Sequence, residues 1–181
     1  LEIINSRIIP ALDEVGERYE NGTLFLPQLM ASAEAVKAAF SMLQLPQGAG
    51  NRGTVLLATV QGDIHDIGKN IVKMLLENYG YHVIDLGRDV APQAVVDAAL
   101  ATRAPLVGLS SLMTATAPNI ARTIQALRDA GAPCKVMVGG AVVTQEFADQ
   151  VGADFYTKDA AQSAKVAALV FGAAAKACHH P

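Results

Sequence analysis

From residue 54 onward the chain alternates five times between a short apolar run and an amphipathic helical stretch. The runs fall at 54–60, 82–86, 106–110, 135–138 and 154–156, and the helical stretches at 69–79, 92–101, 118–130, 144–151 and 160–176. Strict alternation of this kind predicts a parallel sheet with helices on both faces, because each strand must return to the same edge through a crossover. The run at 55–60 is too uniformly apolar for a sheet with one wet face. Composition agrees: 51 % of residues are hydrophobic but only 5 % aromatic, with no Trp, so small and branched aliphatic side chains must fill the core.

The first 43 residues follow another pattern. Leu1, Ile4, Ile8, Leu12, Val15 and Tyr19 recur at helical spacing, interrupted by Pro10, and Asn21-Gly22 reads as a closing turn. A second helix is expected after Pro27, with Met30, Ala33, Val36, Phe40 and Leu43 on one face. Residues 44–53 (QLPQGAGNRG) have the composition of a linker. The expected organisation is therefore a partial helical domain over 1–43, a linker over 44–53 and an α/β domain over 54–181. Two helices cannot bury their apolar faces alone, so they must pack on something else.

Several classes are excluded by charge and length. Fourteen Lys+Arg against seventeen Asp+Glu leave a net charge of −3, with no basic stripe, so no nucleic-acid partner is expected. The apolar runs fall far short of the ~20 residues of a membrane span, and no signal peptide is recognisable, so no membrane partner is expected. Cys134 and Cys178 cannot build a disulfide framework or a cysteine-rich zinc site, and a reducing, cytoplasmic setting fits. Cys134 reads as a small core residue, and His179-His180 as a tail.

In an open parallel sheet, ligands bind beyond the carboxyl ends of the strands, where the strand order reverses. For an order of 2-1-3-4-5 this lies between the first and third strands. The unusual residues stand there. After the first strand comes Gly62-Asp63-Ile64-His65-Asp66-Ile67-Gly68, leading into a helix. After the third comes Ser110-Ser111-Leu112-Met113-Thr114-Ala115-Thr116, rich in hydroxyls, and after the fourth Gly139-Gly140. Asp63 can orient the His65 ring through one nitrogen and leave the other as a metal ligand. One His cannot hold zinc, which takes three or four protein ligands. It suits a metal already chelated by a macrocycle that lacks one axial ligand.

Asp63, His65 and Gly68 (D-x-H-x-x-G), Ser110 and Leu112 (S-x-L) and Gly139-Gly140 resemble the cobalamin-binding signature, over roughly residues 54–175. The resemblance implies a flavodoxin-like, doubly wound, five-stranded parallel sheet of order 2-1-3-4-5 preceded by a partial helical-bundle cap. It implies that His65 binds cobalt in place of the cofactor's own base. The displaced nucleotide tail then runs past Gly68, Ser110 and Gly139-Gly140, with Gly62, Ile64, Asp66, Ile67 and Thr114 in the binding loops. The segments 15–19 and 24–29 resemble the helical cap of cobalamin-dependent methionine synthase and related corrinoid proteins. There Tyr19, Leu26 and Leu29 match residues that cover the methyl-bearing face, Tyr19 standing where Phe is common. A hydroxyl residue that continues the His–Asp relay falls on Thr116. Asp63, with Thr116 behind it, is expected to take the proton that accompanies release of His65.

By this resemblance the chain carries a methyl group on cobalt, as methylcobalamin, between methyl-donor and methyl-acceptor methyltransferase domains or subunits. The methionine-synthase branch implies methyltetrahydrofolate as donor and homocysteine as acceptor. The family's full cap has four helices and only two fit before residue 44, so the chain is expected to be a truncated module, non-catalytic alone. Alternatives remain open: a corrinoid protein of a methanol, methylamine or methoxy-aromatic methyltransferase system; a mutase cobalamin domain; a cobalamin photosensor; or a plain flavodoxin-like module. A mutase covers the upper face with a barrel instead of helices, and photosensors usually carry a cap Trp.

Overall fold

In the computed structural model the described residues are 7, 11, 14, 15, 18, 19, 21–25, 27–32, 35, 38 and 52–177, with side chains described through Gly172. Leu26, the linker residues 44–51, most of the two expected N-terminal apolar stripes and the tail from Cys178 lie outside the described residues.

Five strands form the sheet: β1 (Thr54–Thr59), β2 (His82–Asp85), β3 (Leu106–Ser110), β4 (Lys135–Gly139) and β5 (Phe155–Thr157). All neighbours are parallel, as expected from the alternation, and the order is β2-β1-β3-β4-β5, the doubly wound order that the resemblance implies. The connecting helices are α1 (Ile67–Asn78), α2 (Pro92–Thr102), α3 (Pro118–Asp129), α4 (Gln145–Gln150) and α5 (Ala160–Ala177).

Element ends differ from the sequence reading where side chains intervene. Helix α1 begins at Ile67, two residues earlier than expected, which puts Gly68 in its first turn. Thr144 is the N-cap of α4 and not its first residue, since its hydroxyl accepts from Phe147 N at 3.1 Å. Asp154 precedes β5 because its carboxylate ties strand ends together, accepting from Val136 N at 2.8 Å, Arg128 and Lys135.

Register sorts the strand residues onto two faces. Leu56, Ala58, Val107, Leu109, Val136 and Val138 point to α2 and α3, where Val95, Val96, Ile120, Ile124 and Leu127 complete a closed apolar layer. Val55, Leu57, Leu106 and Met137 point to α1 and α5, packing with Leu75, Leu76, Ala160, Ala164 and Ala167. Each large aliphatic side chain fully buried in these layers contributes about 1.5–3 kcal/mol of transfer free energy. The N-terminal segment joins the second layer: Leu29 is buried there, and Val15, Tyr19 and Leu24 pack against it. The turn expected at Asn21-Gly22 is present, closed by Gly22 N to Tyr19 O at 3.2 Å, and residues 27–32 are helical from Pro27. Cys134 is buried beside the first layer, and burial pushes its thiol above the ordinary range, as befits an inert core residue. Among the described residues no helix is long and apolar enough to cross a membrane.

Candidate functional site

The loop from β1 to α1 is built around a carboxylate taken wholly out of water. Gly62, at φ +84°, turns the chain so that Asp63 N reaches Val60 O at 3.0 Å. The turn drives the Asp63 side chain inward to 0 % exposure. A buried carboxylate is tolerated only when its lone pairs are filled. Here both oxygens are. Oδ1 accepts from His65 N at 3.0 Å and faces His65 Nδ1 at 2.9 Å. Oδ2 accepts from Leu112 N at 2.7 Å, Thr116 Oγ1 at 2.8 Å and Ser111 Oγ at 3.0 Å. Burial opposes the charge, but the His65 and Leu112 amides, the His65 ring and the Thr116 hydroxyl outweigh it and hold the carboxyl well below its ordinary value. Asp63 is therefore held in its charged form.

An ionised carboxylate can only accept, so His65 Nδ1 carries a hydrogen, and in the neutral imidazole Nε2 then has the lone pair. The side chain is 43 % exposed, and Nε2 has no hydrogen-bond partner among the described residues. The ring is thus held at one end by a buried anion and presents the other as a free donor of electrons. Among the described residues no three His, Cys, Asp or Glu side chains gather into a self-sufficient metal site, so His65 can offer a metal only a single protein ligand.

His65 stands in the wall of a groove of about 630 Å³ that descends from the carboxyl edge of the sheet between α1 and α5. Cross-strand rows make its floor. Leu57, Gly108 and Met137 are register partners, and one step toward the edge Thr59, Ser110 and Gly139 are the next row on the same face. The missing side chain at Gly108 keeps the floor low, and the ends of Leu57 and Met137 close over it, at 2.6 and 2.8 Å from where a Cβ would be. Gly68 and Ile71 supply one wall, Ala160 and Ser163 the other, and Tyr19 joins from the N-terminal segment. Gly140, at φ +133°, packs so tightly that a Cβ would lie 1.9 Å from Ser111 O. Only glycine fits between the β4 edge and the Ser111 loop.

The structure brings together Tyr19, Ile64, His65, Asp66, Ile67, Gly68, Ser110, Leu112, Gly139 and Gly140 on the groove. Asp63 and Thr116 stand behind His65, and Gly62 serves the turn. Thr114 is exposed, away from the groove lining, and Leu29 is buried in the core below. Leu26 lies outside the described residues. The sequence reading missed Ser111 as a site residue; it is 1 % exposed and donates to Asp63, with its hydroxyl 2.8 Å from that of Thr116. It also missed the floor residues Leu57, Gly108 and Met137 and the wall residue Ser163. A period of two counted back from Ser110 and Gly139 would have found Gly108 and Met137.

Comparison with known proteins agrees with this geometry. A family model described as a B12 binding domain matches residues 53–169, and a second of the same description matches residues 1–44. Trimethylamine corrinoid protein 2 of Methanosarcina acetivorans is 43 % identical over 168 residues, covering 88 % of this chain and 77 % of the relative. Dimethylamine corrinoid protein 1 of the same organism is 40 % identical over 168 residues, covering 90 % and 79 %. Among solved structures, the methanol:cobalamin methyltransferase complex MtaBC from Methanosarcina barkeri contains a similar chain. It matches with a TM-score of 0.81 and 31 % identity, over 94 % of this chain and 67 % of that one.

The residues present fit cobalamin. Gly68 is the clearest sign: a Cβ there would meet nothing within 4 Å. A glycine in a helix costs about 0.5–1 kcal/mol against alanine, and no internal contact explains it. The space it leaves opens onto the groove, beside a His whose one free nitrogen suits the open axial position of a chelated cobalt. With a family model over 53–169 and corrinoid-protein relatives along most of its length, the chain belongs to the B12-binding domain family.

Proposed function

We propose that this chain is the corrinoid protein of a methylamine- or methanol-type methyltransferase system, receiving a methyl group from one methyltransferase subunit and presenting it to another. The observation that carries this reading is the identity of the relatives: those at 40 % and 43 % are named for dimethylamine and trimethylamine. The similar chain in MtaBC sits in a complex for methanol. They support this reading better than the methionine-synthase branch to which the cap and loop motifs pointed, and methionine biosynthesis has no support among them.

Bound cobalamin supplies a cobalt that accepts and gives up a methyl group. The chain's own residues set how that cobalt is held. His65 Nε2 would hold the cobalt, and the Nδ1 hydrogen shared with the Asp63 anion makes that nitrogen a stronger donor. Ser111 and Thr116 hold Asp63 in place and in its charged form. The Asp63 carboxylate, 2.9 Å from Nδ1, would balance a positive charge on the His65 ring. The groove between α1 and α5 takes the nucleotide tail, with the hydroxyls of Ser110 and Ser163 toward its polar atoms. Tyr19 shields the upper side from water until a partner docks.

The test supplies the cobalamin-loaded protein with two sets of partners. One set holds methylamine- and methanol-specific methyltransferase subunits with trimethylamine, dimethylamine or methanol. The other holds the folate and homocysteine domains of methionine synthase with methyltetrahydrofolate. Alkylation of the bound cofactor, read by absorbance, is expected with the first set. Alkylation only by the second would overturn the assignment.

A further inference from the structure

The turn after β2 contains a residue in an uncommon backbone state. Asp89 has φ +54°, in the left-handed region that non-glycine residues seldom occupy. Such a conformation persists only where the surroundings fix it. Here two hydrogen bonds do so. Asp89 Oδ1 accepts from Gly62 N at 2.7 Å, and Asp89 N donates to Asp63 O at 2.9 Å. Together they clasp the residue pair Gly62-Asp63 from both ends, at the amide before Gly62 and at the carbonyl after Asp63, two residues before His65. Neither bond serves β-pairing or the cap of α2, which starts at Pro92 with Ala91 as its N-cap.

The other end of the same turn grips the other end of the same loop. Asp85, at the end of β2, accepts from Gly87 N at 2.9 Å and forms an ion pair with Lys69 in the first turn of α1. Lys69 is 5 % exposed, and its pairing to Asp85 fixes the start of α1. The segment 85–89 thus holds the His65 loop at residue 62 and at residue 69, with His65 suspended between.

We propose that Asp89 is a positioning residue for His65: by clasping Gly62 and Asp63 it sets the reach of the imidazole toward the metal, and so the strength of axial ligation. The proposal rests on the reading that His65 ligates cobalt. Its charge is not required, but its acceptor oxygen and its tolerance of the left-handed state are. Asn shares both properties, and glycine shares only the second.

The experiment compares Asp89→Asn and Asp89→Gly with the wild type and with His65→Ala, using two readouts. Amide hydrogen exchange at Gly62 in the cofactor-free protein reports the clasp. The ratio of His-ligated to His-free cobalt, from the absorption spectrum of the cobalamin-loaded protein at fixed pH, reports its consequence. Asp89→Gly is expected to speed exchange at Gly62 and to lower the ligated ratio by about tenfold, as loss of the acceptor of one hydrogen bond would. Asp89→Asn is expected to stay within about twofold of the wild type. A glycine variant that frees the Gly62 amide but keeps the wild-type ratio overturns the proposal. So does one that leaves the amide protected, and so does an Asn variant as impaired as the glycine one. If the wild type and His65→Ala give the same spectrum, the ligation reading itself has failed and the positioning role falls with it.

Discussion

The two faces of the sheet are made from the same strands and do opposite things. On the side of α2 and α3, alternate residues are Leu56, Ala58, Val107, Leu109, Val136 and Val138, all buried in one apolar cluster. On the side of α1 and α5, the same strands read Val55, Leu57, Thr59 and Leu106, Gly108, Ser110 and Met137, Gly139. Toward the carboxyl edge β1 ends in a hydroxyl, β3 passes from Leu106 through Gly108 to Ser110 and β4 ends in a glycine, and a groove opens where the side chains shrink. One face carries the stability and the other sacrifices packing for a ligand. A period of two is all that separates them, so a substitution's effect should depend on its parity along the strand.

Leu56→Ala should give the largest change. It leaves a cavity in the closed face and should cost about 2–5 kcal/mol by chemical denaturation. The spectrum of cobalamin bound to the surviving folded protein should be unchanged. A changed spectrum would mean that the two faces are not independent.

Asp63→Asn comes next, because it acts at the edge where both faces meet. Replacing an acceptor of several donors with an amide should cost about 1–3 kcal/mol near neutral pH. Its pH dependence has a definite sign. The folded carboxyl is held below its ordinary value of 3.8. Its stabilisation is therefore fully present above about pH 4 and is lost as pH falls through the lowered value. Urea midpoints measured from neutral to acid pH should fall steeply for the wild type below about pH 4 and less steeply for the Asn variant. Asp85 and Asp154 are also held low, by Lys69 and Gly87 and by Lys135, Val136 and Arg128 against the cost of burial, so both proteins keep some acid sensitivity.

Gly68→Ala should show the smallest effect on stability and the clearest separation of the faces. With nothing within 4 Å of the new Cβ, the cofactor-free protein should be unchanged or more stable by up to about 1 kcal/mol. The methyl group enters the groove, however, and cobalamin affinity should fall by about tenfold, as overpacking of a fitted site does. Equal affinity would mean that the tail does not pass Gly68.

What could be read from the sequence follows from what is local. The strand ends announce themselves, because Asp63, His65, Ser110 and Gly139-Gly140 interrupt apolar runs within a few residues. The alternation of elements carried the parallel sheet, and the resemblance of the strand-end motifs carried its order. The groove floor was hidden, because Leu57, Gly108 and Met137 are 51 and 29 positions apart and meet only through register. Ser111 was hidden beside Ser110, since adjacent strand-end residues face opposite ways and sequence alone does not say which one turns to Asp63. Asp89 lay in a turn of ordinary composition, and its role depends on a left-handed φ and on a loop 27 residues away.

The central claim is that His65 of the groove face is the axial ligand of the bound cobalt. Paramagnetic resonance of the protein loaded with cob(II)alamin tests it directly, comparing natural-abundance protein with protein labelled with ¹⁵N at histidine. The account predicts that each line is split into a triplet by the unlabelled protein and into a doublet by the labelled one, with the splitting lost in His65→Ala. A triplet that survives labelling would show that the nitrogen belongs to the cofactor's own base, and would contradict the account.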